Sequence, residues 1–138
     1  MKAVVQRVSS AAVRVGGSTV SEIGPGLLVL LGIANGDGRE EAARMARKLL
    51  RLRLFPDSEG RLSEDLGGRE ILCVSQFTLC GDTSKGNRPS FVGAASPELA
   101  EPLYLDVCER IDARRGVFGA NMEVAMLGDG PVTVLIEV

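Results

Sequence analysis

No histidine occurs in this chain. Its absence removes the usual general base at neutral pH and the commonest metal ligand. Ser-His-Asp, Cys-His and H-E-x-x-H chemistries are therefore excluded within one subunit. Cysteine is scarce: Cys73, Cys80 and Cys108 form no C-x-x-C pair, so neither a disulfide framework nor a zinc site is expected. Cys73 and Cys108 read as core residues, whereas Cys80 stands next to a glycine-bearing loop. No apolar run approaches the ~20 residues of a membrane span. The longest, Gly26 to Ala34, is bounded by glycines and reads as a buried strand. "MKAVVQRV" turns polar too soon for a signal peptide, so a soluble, cytoplasmic protein without membrane association is expected. Excess positive charge is missing too. The net charge is −2, which excludes a global basic field for nucleic acid. Local cations remain at Arg44 to Arg53 and at Glu109 to Arg115, where solvated helix faces are the simpler reading. No metal or organic cofactor is called for. Any catalysis must rest on backbone groups, hydroxyls, carboxylates or the substrate itself.

What is present fits one domain over residues 1–138. "KAVVQRV" reads as a strand, and "AAVRVGGSTVSEI" as a hairpin turning at Gly16-Gly17. Leu27 to Ile33 reads as a strand buried on both faces. Asp37 is a candidate N-cap with Glu40 three residues on. The following helix places Ala42, Met45, Ala46, Leu49 and Leu50 on one face. "LRLF" reads as a short strand, and Arg69 to Leu79 as a strong one. A long polar loop follows, "CGDTSKGNRPSFVGAAS", of a length that is usually functional. Ser96 and Pro97 open a second helix with Leu99, Leu103, Val107 and Ile111 as its apolar stripe. Pro102 should delay or bend that helix, and Gly116 should end it. The predicted architecture is α+β: a layered β/β/α domain with mostly antiparallel, barrel-like sheets and two main helices.

Two stretches carry candidate chemistry. In "SQFTL", strand alternation would put Ser75, Phe77 and Leu79 on one face and Gln76 and Thr78 on the other. Two hydrogen-bonding groups would then point the same way at a strand end. In "GDGPVTV", a proline interrupts strand formers on both sides, "NMEVAMLG" and "VTVLIEV". Read locally, this is a hairpin turn with Asp129-Gly130 at the corner.

"SQFTL", "RPSF" at Arg88 to Phe91 and "GPVT", in that order, resemble the signature motifs of the D-aminoacyl-tRNA deacylases, also called D-tyrosyl-tRNA deacylases. The similarity extends to "QRV", "EIGPGLLVLLGI" and "SPE", and so covers essentially the whole chain. One position departs: the family motif usually reads Asn-x-Gly-Pro, and here Gly128 stands in place of the Asn. The resemblance implies hydrolysis of the ester between a D-amino acid and the terminal ribose of tRNA, with no cofactor. It implies a homodimer in which a cis Gly130-Pro131 bond enters the partner's site. The carbonyls of Gly130 and Pro131 would receive the substrate ammonium, L side chains would collide with the motif, and glycine would be poorly excluded. Glycyl-tRNA is then an expected second substrate. Arg7 would brace the motif. Ser75, Gln76, Phe77 and Thr78 would form the catalytic segment, and Met122, Pro89, Ser90 and Phe91 would help bind the substrate.

The nucleophile stays open between the Thr78 hydroxyl and water assisted by the ribose 2′-hydroxyl; the missing histidine favours the second. Three other readings compete. A related deacylase acting on L-alanine differs at the Ser75 and Phe77 positions. A non-catalytic dimeric nucleic-acid-binding module would lack catalysis altogether. A threonine-nucleophile esterase would act on simple esters.

Overall fold

A computed structural model describes residues 1–138. β1 (Lys2–Val15) and β2 (Ser18–Ile23) form the expected hairpin, and β3 (Gly26–Gly32) follows. Gly16 and Gly17 both have positive φ, as the primed two-residue turn requires. α1 (Arg39–Leu50) leads to a small hairpin of β4 (Phe55–Pro56) and β5 (Leu62–Glu64). β6 (Glu70–Ser75) runs into a 3-10 turn at Phe77–Cys80. α2 (Pro97–Arg110), β7 (Arg114–Arg115) and β8 (Glu123–Glu137) complete the chain.

β1 is the hub. Its first half pairs antiparallel with β3, its second half with β2, and its other edge with β8 along nearly its whole length. β6 lies parallel to β3, and β7 parallel to β6. The result is a nearly closed, barrel-like mixed sheet, mostly antiparallel, with two helices packed against it.

Burial explains the apolar run in β3. Leu27, Val29 and Leu31 face the helices in a core of 22 buried residues with Met45, Leu49 and Val107. Leu28 faces the other way, into a core of seven with Val8, Val13, Leu72 and Val74. Both faces of the strand are covered, so neither tolerates polar alternation. Each fully buried Leu or Val contributes roughly 1.5–3 kcal/mol relative to exposure.

Several local expectations change. Gly38, not Asp37, is the N-cap of α1, and the Glu41 carboxylate accepts the Gly38 N–H at 2.9 Å. Asp37 instead accepts the Ala34 N–H at 2.7 Å and pairs with the Met1 ammonium at 2.8 Å. Leu50 is exposed rather than part of the buried face. In α2, Leu99 is 60% exposed, and the buried stripe is Ala100, Leu103, Tyr104, Val107, Cys108 and Ile111. Pro102 sits on the exposed side, so the helix runs through it from Pro97 and ends at Arg110, well before Gly116.

The largest correction concerns the last two expected strands. They are one strand, β8, and Asp129-Gly130 is not a hairpin corner. Both halves pair with the same neighbour in the same sense: Glu123–Gly128 with the second half of β1, and Thr133–Glu137 with the first. Gln6 pairs with Thr133 and Val8 with Gly128. Arg7 alone therefore faces the four residues from Asp129 to Val132, which bulge out of the ladder.

Tyr104 fastens α2 to the sheet. Its phenol donates to the Cys73 carbonyl at 2.8 Å, and the ring is buried. Burial holds this phenol well above its ordinary range. Free phenols ionise near about pH 10, so the contribution is complete below that value. It is lost as pH rises beyond it, because the unfolded chain releases a proton that the folded chain keeps. Tyr104→Phe is expected to lower stability by about 1 kcal/mol at neutral pH and to weaken the alkaline loss of stability. Denaturant unfolding at neutral pH and above about pH 10 checks both.

Candidate active site

β6 ends at Ser75, where it pairs with Leu31 of β3. The expected strand through Leu79 does not continue; the chain closes into the 3-10 turn instead. Gly32 makes room for that turn. A Cβ on Gly32 would lie 2.9 Å from the Gln76 carbonyl oxygen and 3.0 Å from Leu79 Cβ. The alternation of Ser75, Phe77 and Leu79 against Gln76 and Thr78 is therefore lost. In its place Gln76 folds over Thr78, its amide donating to the Thr78 hydroxyl oxygen. The first N–H groups of such a turn have no acceptor within it.

Beside this turn lies a cavity of about 590 Å³. Ser75, Gln76, Phe77, Phe91 and Met122 all line it, together with Asn121. Its walls are mainly apolar, with a few convergent polar groups, the usual composition of a small-molecule site. Phe77 and Phe91 meet edge to face with centroids 5.2 Å apart. Phe77 is 56% exposed and Phe91 38%, so both rings present surface to an incoming ligand. The long loop that carries Phe91 is ordered by two backbone hydrogen bonds between Asp82 and Ser90, each 2.8 Å. Asn35 anchors its far end: its amide donates to the Val92 carbonyl at 2.7 Å. Cys80 closes the turn, donating its thiol hydrogen to the Ile33 carbonyl at 3.5 Å. Burial raises this thiol above its ordinary range, so it is not a ready thiolate. No group of three metal-ligating side chains is assembled anywhere in the chain.

The remaining candidates lie elsewhere. Thr78 is exposed on the turn but does not line the cavity, and neither do Pro89 and Ser90. Gly130 and Pro131 are exposed on the bulge of β8, joined by a cis peptide bond. Arg7 is buried beneath them. Its Nη1 donates to the Leu54 carbonyl at 2.7 Å, and its Nε donates to the Asp129 carbonyl at 3.2 Å. The candidates thus form two groups, one around the cavity and one on the outer strand.

Residues that sequence reasoning misses include Phe118, Gly119 and Asn121 in the cavity wall. They sit in "GVFGAN", a glycine-punctuated turn just ahead of β8 whose sequence resembles any connection. Asp129 is missed as well, because in the sequence it reads only as half of a turn.

A family model described as D-Tyr-tRNA(Tyr) deacylase matches residues 4–137. A D-aminoacyl-tRNA deacylase from Dehalococcoides mccartyi is 52% identical, with 99% of this chain and 94% of the relative covered. Another, from Carboxydothermus hydrogenoformans, is 49% identical over the full length of both. Among solved structures, one described as a c-Myc DNA unwinding element binding protein superposes with a TM-score of 0.95 at 45% identity, covering 100% of this chain and 99% of that one. A probable eukaryotic D-amino acid tRNA deacylase superposes at 0.82 with 16% identity, covering 99% and 98%, a likeness of fold.

Gly81 tests how the cavity wall is built. A Cβ there would meet the Phe91 ring at 2.9 Å and the Thr78 carbonyl oxygen at 3.0 Å. Gly81→Ala is expected to push Phe91 away from Phe77 and to lower stability by about 1–3 kcal/mol. Loss of ring-to-ring NOE contacts in NMR spectra, with a lower unfolding midpoint, is the measurement.

Proposed function

This chain belongs to the D-Tyr-tRNA(Tyr) deacylase family and is a hydrolase of the ester bond in D-aminoacyl-tRNA; on that premise we propose that it selects the D ester by steric rejection of the L form at Gly130-Pro131. The whole of residues 1–138 acts as one catalytic domain of a cytoplasmic enzyme. The observation that best supports the hydrolytic chemistry of this reading is the arrangement at residues 75–78. Ser75, Gln76 and Phe77 stand at the cavity wall, while the hydrogen-bond partner of the Thr78 hydroxyl is an amide and not a base.

A hydroxyl without a base is a weak nucleophile. The reaction therefore draws on the substrate, whose ribose 2′-hydroxyl lies next to the ester and guides water onto the carbonyl. Backbone N–H groups of Phe77 and Thr78, at the opening of the 3-10 turn, stabilise the developing oxyanion. Ser75 and Gln76 orient the terminal nucleotide. Phe77, Phe91 and Met122 shape its apolar surroundings, and Pro89 and Ser90 hold the loop that brings Phe91 there. Lys85 and Arg88, exposed in the same loop, offer local positive charge to the phosphates of the acceptor end.

The enzyme works as a homodimer, with the Gly130-Pro131 turn of one subunit completing the site of the other. Two features support this. β8 pairs on one edge only, with β1. Met126 (48%), Leu127 (63%) and Leu135 (78%) are exposed along it, apolar surface that a second subunit would cover. In the assembled site the carbonyls of Gly130 and Pro131 accept the α-ammonium of the substrate. An L side chain meets the turn and a D side chain points away. Glycine has nothing to collide, so glycyl-tRNA is hydrolysed as well.

Three outcomes test this. Purified protein should hydrolyse D-tyrosyl-tRNA quickly and spare L-tyrosyl-tRNA. Thr78→Ala should keep D-ester activity within about tenfold, whereas loss of all activity would install Thr78 as the nucleophile. Gly130 has φ +127, and an added Cβ would stand 2.7 Å from the Val132 nitrogen. Gly130→Ala should accordingly reduce the D-to-L rate ratio by about 100-fold. Matched single-turnover deacylation assays measure all three.

A further inference from the structure

Arg7 is the one charged side chain among the buried residues, only 8% exposed. It leaves β1 at the position where pairing with β8 is interrupted. A guanidinium carries its charge at any physiological pH, so a buried one requires a counter-charge and acceptors for its N–H groups. Asp129 supplies both. Its carboxylate Oδ2 lies 3.0 Å from Arg7 Nε, and its carbonyl accepts from the same nitrogen. No other carboxylate pairs with Arg7. On its far side Arg7 is held by the Leu54 carbonyl, in the connection between α1 and β4. Arg7 Nη2 stands 3.3 Å from the point where a side chain on Gly130 would begin. One guanidinium thus ties β1, the end of the helical layer and the bulge of β8 together, directly beneath Gly130.

We propose that Asp129 is a positioning residue for the D-to-L choice: its carboxylate locks Arg7, and through Arg7 it fixes the height of the Gly130-Pro131 turn above β1. This rests on the reading of that turn given above. Neighbouring Gly128 contributes no side chain, and a Cβ there would meet nothing within 4 Å. The Asp129 carboxylate is therefore the side-chain restraint on this flank of the bulge. Four residues opposite one cannot be fixed by ladder hydrogen bonds, so the turn's placement depends on what holds it from below. Rejection by collision is sensitive to that placement. A turn free to move outward by about an ångström would admit an L side chain, and its carbonyls would grip the ammonium less well. Removing the carboxylate should therefore raise the L-ester rate and the D-ester KM, with a smaller change in D-ester kcat, because Ser75 to Thr78 are untouched.

The decisive variant is Asp129→Asn, isosteric and half exposed, which removes the charge alone. Deacylation of D-tyrosyl-tRNA and L-tyrosyl-tRNA is measured on the full-length wild type and variant. The D-to-L ratio of kcat/KM is expected to fall by about tenfold or more. A simple loss of folded protein lowers both rates equally and leaves the ratio unchanged. An unchanged ratio in Asp129→Asn overturns the proposal; should that variant not fold, Asp129→Ala is assayed in its place and an unchanged ratio there overturns it equally. Gly130→Ala is assayed alongside. If it too keeps the ratio, the reading of the turn has failed; if it loses the ratio while Asp129→Asn keeps it, only the role of Asp129 has.

Discussion

The β1–β8 ladder must accommodate four residues of one strand against one residue of the other. Most features of this molecule follow from how that mismatch is absorbed. β1 continues through it without a break, because β3 and β2 hold its opposite edge. The excess is thrown onto β8, which bulges outward at Asp129 to Val132 and resumes pairing at Thr133. The Arg7 guanidinium lies buried against this bulge, bonded to Asp129. The buried charge is tolerated because its donors find the Leu54 and Asp129 carbonyls and its charge finds the Asp129 carboxylate.

Placement, rather than reactive side chains, also marks the cavity. With no imidazole available, the chain cannot generate a strong nucleophile from a hydroxyl, and burial holds the Cys80 thiol in its neutral form. What the fold supplies instead is geometry. Gly32 lets the 3-10 turn sit against β3, and Gly81 leaves room for the Phe91 ring beside that turn. On the proposed reading the aminoacyl ester is already activated by its own α-ammonium, so orientation and oxyanion stabilisation would suffice as the protein's contributions.

Much of this is legible in the sequence, and the reasons differ between elements. β3 can be read because burial on both faces leaves an unbroken apolar run, and the Gly16-Gly17 hairpin because its turn demands positive φ twice. The cores of both helices follow from periodicity, though Leu99 misleads: apolar at the expected spacing, it faces solvent while Ala100 and Tyr104 turn inward. The strand through Leu79 is over-extended because "SQFTL" has good strand formers. What ends it is the loss of a partner after Leu31 and the space over Gly32, both tertiary facts. The single strand β8 is illegible for the same reason. Glycine and proline mark an interruption, but only the pairing of both halves with β1 separates a bulge from a hairpin. The grouping of Ser75, Gln76, Phe77, Phe91 and Met122 rests on resemblance, since these positions are far apart in the chain and share no local pattern.

On the proposed reading, a filter made of main-chain carbonyls has consequences that a side-chain filter would not have. It tests the substrate at the α-carbon and nowhere beyond, so the identity of a D side chain matters little once it points away from the turn. Discrimination against L esters comes from collision, and collision can be made as severe as the rigidity of the turn allows. Glycine presents nothing to collide with, and no tightening of the same turn can exclude it. Broad tolerance of D side chains and leakage toward glycine are thus two expressions of one geometry. Both depend on a backbone segment that carries no side chain of its own at Gly128 and Gly130, and that leans instead on a buried cation and the carboxylate beside it.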